Sequence, residues 1–433
     1  MNKKFNNTSE LERRRFISLA AKGFLGVSIL PWSVPDQAIG AGLGLNRPLN
    51  YAPKAKNVIY LYMSGGMTHI DTFDPKPGAE TSGPTQAIKT NVDGLQLAEN
   101  LPLLANHADK VAVIRGMTST KGAHQQGNYF MHTSYAQRST IVHPSMGAWM
   151  TKLDGRFNPT LPGAVIIKGG SRHPLSGFLP SDHQPLAIGN PNEGLRNCKM
   201  IKGISDQTFQ KSLDLSKKLD RDFVQKYDFK KVRAYSDMYE NAVRLMKSKD
   251  LKAFDLSEES KKTRESYGED DFGQGVLLAR RLVERQVRFV EVQLGGWDTH
   301  QNNFLRVPER TAILDQALSA LLDDLSKRGM LEETLIVLAT EFGRTPNINV
   351  NDGRDHYPKA FSCMLAGGGI RGGQVWGKTD DEGREVVDQK VEIPDLNATI
   401  AYSLGLPLDE IIYSPTRRPF TLSDKGQPLT QLI

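Results

Sequence analysis

The run Val287-Arg288-Phe289-Val290-Glu291-Val292-Gln293-Leu294-Gly295-Gly296-Trp297-Asp298-Thr299-His300 decides how this chain is read. Its first eight residues alternate around an apolar set, as a strand does. A Gly-Gly pair then breaks the strand, and an aspartate and a histidine follow, two residues apart. In open α/β sheets ligands gather at the carboxyl ends of the strands. A carboxylate beside an imidazole can hold a divalent metal. A plain strand-end turn with polar residues facing water would look the same, so the rest of the chain has to decide.

Outward from this run, five further apolar segments read as strands: Asn57–Met63, Val111–Arg115, Gly163–Ile167, Thr334–Ala339 and Ala360–Ala366. Helical spacing covers 98–107, 144–152, 273–285, 309–328 and 394–404. Apolar strands alternating with helices predict an α/β fold, a mostly parallel sheet covered on both faces. Residues 56–433 are read as one such domain. Within it, 205–265 is rich in Lys, Asp, Glu and Ser, with apolar residues at helical intervals, and is expected to be a helical insertion with a solvated charged face.

The chain has 433 residues, 39% hydrophobic and 24% charged, an ordinary globular balance. Residues 1–42 hold six Lys/Arg against three acids and so supply +3 of the formal +6. What remains is too little for a nucleic-acid partner, and no basic stripe interleaves with aromatics. Arg13-Arg14-Arg15-Phe16-Ile17 resembles the twin-arginine export consensus, and a weakly apolar stretch runs on to Leu30. We therefore expect residues 1–42 to be an export signal engaging the twin-arginine machinery, 43–55 a linker, and the mature protein periplasmic or otherwise exported. No later segment offers ~18 consecutive apolar residues, so no stable span is expected in the mature chain. Two cysteines make no disulfide framework: Cys363 sits in an apolar run and Cys198 in a loop.

Four more polar clusters are expected where the chain leaves a strand. Ser64-Gly65-Gly66-Met67-Thr68-His69-Ile70-Asp71 repeats the imidazole–carboxylate pairing. Thr118-Ser119-Thr120-Lys121-Gly122-Ala123-His124 brings hydroxyls, a lysine and a histidine into one loop. A hydroxyl there is a candidate nucleophile, or simply a helix cap. Thr340-Glu341-Phe342-Gly343-Arg344 offers a metal-binding carboxylate and a guanidinium able to grip an oxyanion, or a salt bridge between the two. In Arg354-Asp355-His356 the adjacent side chains diverge, and His356 is the favoured ligand. His132 is ambiguous; His107, His143, His173 and His183 read as surface or packing residues. In a parallel sheet these clusters converge on one rim.

Together, SGGMTHIDTFDPKP, GGWDTH, ATEFGRTP, GRDHYP and GGGIRGGQVWGKTD resemble the exported bacterial family known as domain of unknown function 1501. That family is similar to a distant branch of the alkaline phosphatase and sulfatase superfamily. The resemblance implies an alkaline-phosphatase-like three-layer α/β/α sandwich. It also implies a divalent metal (zinc, calcium or manganese) and hydrolysis of a phosphate or sulfate ester, with a small-molecule or glycan ester as substrate. Asp298 and His300 match the superfamily's aspartate–histidine ligands and His356 a late histidine ligand. The 118–124 loop falls in the nucleophile segment but lacks the sulfatase signature. Ser64-Gly65-Gly66 stands where a metal-binding aspartate is usual, and Glu341-Phe342 where an Asp-His pair is. The expected ligands are thus Asp71, Asp298, His300, Glu341 and His356, with His69 and His124 in reserve. Thr118, Ser119, Lys121 and Arg344 are the candidate catalytic residues. The rival reading is a non-catalytic exported metal- or glycan-binding protein on the same fold. No G-x-S-x-G elbow supports a serine hydrolase.

Overall fold

The computed structural model describes residues 53–170, 172–195 and 242–433, together with 205, 207–215 and 218. Nine strands form one sheet: β1 Asn57–Met63, β2 Val111–Thr118, β3 Ala164–Ile167, β4 Leu186–Ile188, β5 Phe289–Leu294, β6 Thr334–Ala339, β7 Phe361–Ala366, β8 Gln374–Trp376 and β9 Val391–Glu392. Their order is β8-β2-β7-β6-β1-β5-β3-β4, with β9 beside the end of β2. All neighbours pair parallel except β7, which runs antiparallel to both β2 and β6. The six strands expected from the sequence are all present.

β1 lies at the centre because it is apolar on both faces. Leu61 pairs with Val292 on one side and Leu338 on the other. Ile59, Leu61 and Met63 enter one core with Val290, Val292, Ile336 and Leu338. Val58, Tyr60 and Tyr62 enter a second core with Phe289, Leu335 and Val337. Burying each large apolar side chain contributes roughly 1.5–3 kcal/mol. The first core is closed by α4 Asp271–Glu284 and α5 Asn303–Lys327, with the short α3 Lys261–Tyr267 beside them; the second by α1 His124–Thr133, α2 Met146–Asp154 and α6 Ile393–Ser403. This is a three-layer α/β/α sandwich.

Several expectations need correction. Residues 98–107 are not a helix: Gln96–Ala98 is a short strand, and 3-10 turns follow at Leu104–Lys110. The amides of Leu103 and Leu104, just after Pro102, donate to Asp315 at 2.7 Å each. α5 begins at Asn303 and runs through Pro308. α1 was not anticipated, and neither were β4, β8 and β9. Residues 353–358 do not follow a strand's carboxyl end. They lead into antiparallel β7, which brings them to the same rim from the opposite direction.

The twin-arginine segment, residues 43–52 of the linker, Cys198 and residues 206, 216–217 and 219–241 of the expected insertion lie outside the described residues. Cys363 is a buried core residue, as expected. Among the described residues no helix is long and apolar enough to cross a membrane.

Candidate metal centre

The alternation of β5 continues past its end. Trp297 and Thr299 turn inward and are buried, while Asp298 and His300 face the rim. The two-residue spacing therefore presents both side chains on one surface. Gly65, after β1, makes room for this loop. Its φ is +123°, and a Cβ there would lie 2.6 Å from the Asp298 amide nitrogen, so only glycine fits without strain.

Asp298 is the hub. His124 Nε2 lies 3.2 Å from its Oδ2. His356 Nε2 and His300 Nε2 lie 3.4 and 3.3 Å from its Oδ1. Arg344 also donates to Oδ1. Each histidine is gripped at its other nitrogen by an acceptor: His124 Nδ1 by Glu341 Oε1 at 2.8 Å, His300 Nδ1 by Asp355 Oδ1 at 2.7 Å, His356 Nδ1 by the Gly122 carbonyl at 2.8 Å. An acceptor there fixes the proton on Nδ1 and leaves Nε2 with a lone pair. Three lone pairs thus converge on a carboxylate, which also offers only lone pairs. His124 Nε2 is buried and has no hydrogen-bond partner.

The charges around the hub shift its members in different directions. Burial raises the Asp298 pKa, but the Arg344 hydrogen bond and charge, then His124 and His300, outweigh it and bring the carboxyl down to about 2. The Glu341 hydrogen bond holds His124 above its ordinary value, against burial and with help from Asp298. Burial holds His356 below its own. The ligand atoms of His124, Asp298 and His356 lie within 4.8 Å of one another, close enough to share one ion. Imidazole nitrogens backed by carboxylate or carbonyl acceptors are what a zinc-type site requires.

The other expected residues lie elsewhere or do other work. Glu341 is 1% exposed and stands behind His124, its oxygens also accepting from the Gly65 amide (2.9 Å) and the Tyr62 hydroxyl (3.0 Å). Asp71 is fully buried and committed to Arg354, Thr68, Thr85 and Asn303. With every acceptor site engaged, it braces the 353–358 loop. His69 Nε2 bonds the Gly383 carbonyl at 2.8 Å, away from the hub. Arg344 is buried, and all three of its guanidinium nitrogens donate to carbonyls of Gly65, Gly66 and Arg354 or to Asp298. It positions Asp298 and has no open fork for an oxyanion.

The Thr118 hydroxyl donates to the Val391 carbonyl at 3.3 Å, and that of Ser119 accepts from the Lys121 amide at 3.1 Å. Neither hydroxyl bonds Asp298, His124 or His356, nor does the Lys121 ammonium. Their loop still adjoins the site through Gly122 and through the Ser119 amide, which donates to the Pro358 carbonyl at 2.7 Å.

A second histidine–carboxylate group lies under the first. Glu291, mid-strand in β5, is 2% exposed. His132 Nε2 and His173 Nε2 each stand 3.2 Å from one of its oxygens. Of the two readings offered for His173, surface or packing, its side chain at 5% exposed fits packing. The sequence did carry a signal, an acid inside an apolar strand, where burial is costly without a partner. Asp355 and Tyr62 were likewise missed as partners of the site.

The family described as "Protein of unknown function (DUF1501)" matches residues 55–433. The chain belongs to this family. No curated protein matches it. Among solved structures it is similar to the PsFucS1 sulfatase from Pseudoalteromonas sp., at 12% identity and TM-score 0.38, over 88% of this chain and 74% of that one. It is also similar to the lipoteichoic acid synthase LtaP from Listeria monocytogenes, at 10% and 0.37, over 83% and 74%. A third is the phosphonate monoester hydrolase SpPMH from Silicibacter pomeroyi, at 12% and 0.35, over 86% and 76%.

Proposed function

We propose that this DUF1501 protein is an exported, metal-dependent hydrolase of phosphate or sulfate esters. The observation that carries the metal is the triple convergence at Asp298: His124, His300 and His356 each have Nδ1 engaged and turn Nε2 toward one carboxylate. Two imidazoles and a carboxylate favour zinc or manganese over calcium, which prefers oxygen ligands. The ester chemistry comes from the motif resemblance to the alkaline phosphatase and sulfatase superfamily, and export from Arg13 to Ile17.

In this reading His124, Asp298 and His356 hold the cation. Bound there, a divalent ion supplies Lewis acidity toward an ester oxygen and a more acidic water. Glu341 aims His124, and Arg344 aims Asp298. His300, with 44% of its side chain exposed, offers its Nε2 lone pair to take a proton from the attacking water. The rival, a binding protein, gains from the hydroxyls of Thr118 and Ser119 standing unconnected to the hub.

Elemental analysis of the protein isolated from the exported fraction tests the metal. Roughly one zinc or manganese per chain is expected, lost in Asp298→Ala. Unchanged occupancy in that variant would overturn the site. Aryl phosphates and sulfates test the chemistry; a metal-loaded protein that turns over neither is the binder.

A further inference from the structure

The buried cluster and the rim are joined by an unbroken run of hydrogen bonds. Asn128, on α1 between His124 and His132, touches both. Its side-chain amide donates to the Tyr62 hydroxyl at 3.1 Å. Its backbone carbonyl accepts from His132 Nδ1 at 2.8 Å. The Tyr62 hydroxyl has one proton, and the Asn128 amide nitrogen can only donate, so that proton goes to Glu341 Oε2. Glu341 Oε1 in turn accepts from the Gly65 amide and from His124 Nδ1. Donors therefore point at Glu341 from both sides, from Asn128 through Tyr62 on one and from His124 on the other. Tyr62 is fully buried on the central strand and does not ionise in the ordinary range, because burial and Glu341 raise its pKa.

The inner end of the run closes without a metal. The Leu175 amide donates to His173 Nδ1 at 3.0 Å, so the His173 proton sits on Nε2, facing Glu291. His132 Nδ1–H is spent on Asn128, so one added proton on its Nε2 completes an ion pair with Glu291. Two N–H groups then meet two carboxylate oxygens. That pair ties the far end of α1 to the middle of the sheet. Gly127 permits the near end to press against residues 341 and 342: a Cβ there would come within 3.0 Å of Phe342 and 3.2 Å of Glu341.

We propose that Tyr62 and Asn128 are positioning residues of the rim site. Through Glu341 they fix the His124 ring and its tautomer, and they anchor that arrangement to the buried His132–Glu291 pair. The inference rests on the metal reading above. A second cation at Glu291 is the competing account, and the His173 tautomer opposes it.

The test uses Tyr62→Phe, which removes one oxygen and keeps the ring, Asn128→Ala, which keeps the carbonyl that His132 uses, and the double variant. Zinc affinity is read by chelator competition, folding by thermal unfolding of the metal-free protein, and the His124 tautomer by ¹⁵N NMR of the metal-free, histidine-labelled protein. Tyr62→Phe should bind zinc at least ~10-fold more weakly, within the range for disturbing an outer partner of a ligand, and should unfold at a somewhat lower temperature because Glu341 Oε2 and the Asn128 amide lose a buried partner. Asn128→Ala should weaken binding less, and the double variant no more than Tyr62→Phe, because the two residues act in one line. Wild-type affinity in Tyr62→Phe, or a loss that merely follows lowered stability, would overturn the proposal. If the wild type binds no cation at all, the functional reading falls instead. The relay is then judged by NMR alone: a shift of His124 toward mixed tautomers in Tyr62→Phe supports it, and an unchanged spectrum rejects it.

Discussion

The rim cluster and the buried cluster contain the same parts, histidines around one carboxylate, and the placement of protons makes them different. At Asp298 three imidazoles have Nδ1 held by Glu341, Asp355 and the Gly122 carbonyl, so lone pairs face a carboxylate. At Glu291 the Leu175 amide turns the His173 proton inward, and one more proton on His132 completes the set. In the reading proposed above the first arrangement holds an added cation, and the second closes as an ion pair. Counting ligand-type residues does not separate them. What the outer nitrogen of His173 touches does, because there alone a donor replaces the acceptor.

The comparison breaks most visibly if Glu291 is removed. Glu291→Ala leaves the protonated His132 buried without its partner, and unfolding by urea should show a loss of roughly 3–5 kcal/mol. A chelator should leave the stability gap between variant and wild type unchanged. Should chelation destabilise the wild type to the level of the variant, the buried cluster holds a metal and the contrast is gone. At the rim the pattern reverses. His356→Ala should lose most cation binding while stability shifts by no more than about 0.5 kcal/mol, as for a partly exposed group outside the core.

Proton placement also predicts a pH signature for the buried pair. His132 is raised above its ordinary 6.5, where Glu291 and the Asn128 carbonyl outweigh a larger single opposing effect, burial. Its stabilisation is complete below pH 6.5 and is lost as pH rises through the raised value. Glu291 is depressed below its ordinary 4.5, since His132 and His173 together outweigh burial; its stabilisation is complete above pH 4.5 and lost on acidification. The groups facing His132 are Glu291, His173, Tyr60, Tyr62 and, at longer range, Glu341. The gap in thermal stability between metal-free wild type and His132→Gln should be widest between pH 4.5 and 6.5 and narrow above it. A gap that widens with pH would mean the pair is not charged as described.

The sheet was legible because its strands are short apolar runs bounded by Gly and polar residues, and such runs have few other uses. The direction of β7 was not, since Phe361–Ala366 reads the same both ways. α1 escaped notice because His124-Gln125-Gln126-Gly127-Asn128 has no apolar periodicity; contact with residues 341 and 342 holds it in place. Of the site, Asp298 and His300 were legible as strand-end polar residues, His356 was singled out for the wrong reason because its segment leads into a strand instead of leaving one, and His124 stood only in reserve. Asp71 and Glu341 carried the right chemistry, but burial and saturated hydrogen bonds give them supporting work. Sequence spacing reports which rim a residue reaches, not whether its oxygens are already taken.

The smallest effect is expected at Asp355. Its carboxylate grips His300 Nδ1 at 2.7 Å, and that hydrogen bond holds its pKa below the ordinary range. Yet more than half of the Asp355 side chain is exposed, and His300 is the outermost of the three histidines. Water can replace much of what Asp355 provides, whereas nothing can reach the buried face of Glu341. Asp355→Asn should therefore weaken zinc binding by at most about 10-fold, the lower end for an outer partner, with no measurable change in unfolding. It should cost less than Tyr62→Phe, although Asp355 touches its histidine directly and Tyr62 acts through Glu341. If Asp355→Asn proves the more damaging, solvent exposure is the wrong guide, and His300 belongs among the primary ligands with His124 and His356.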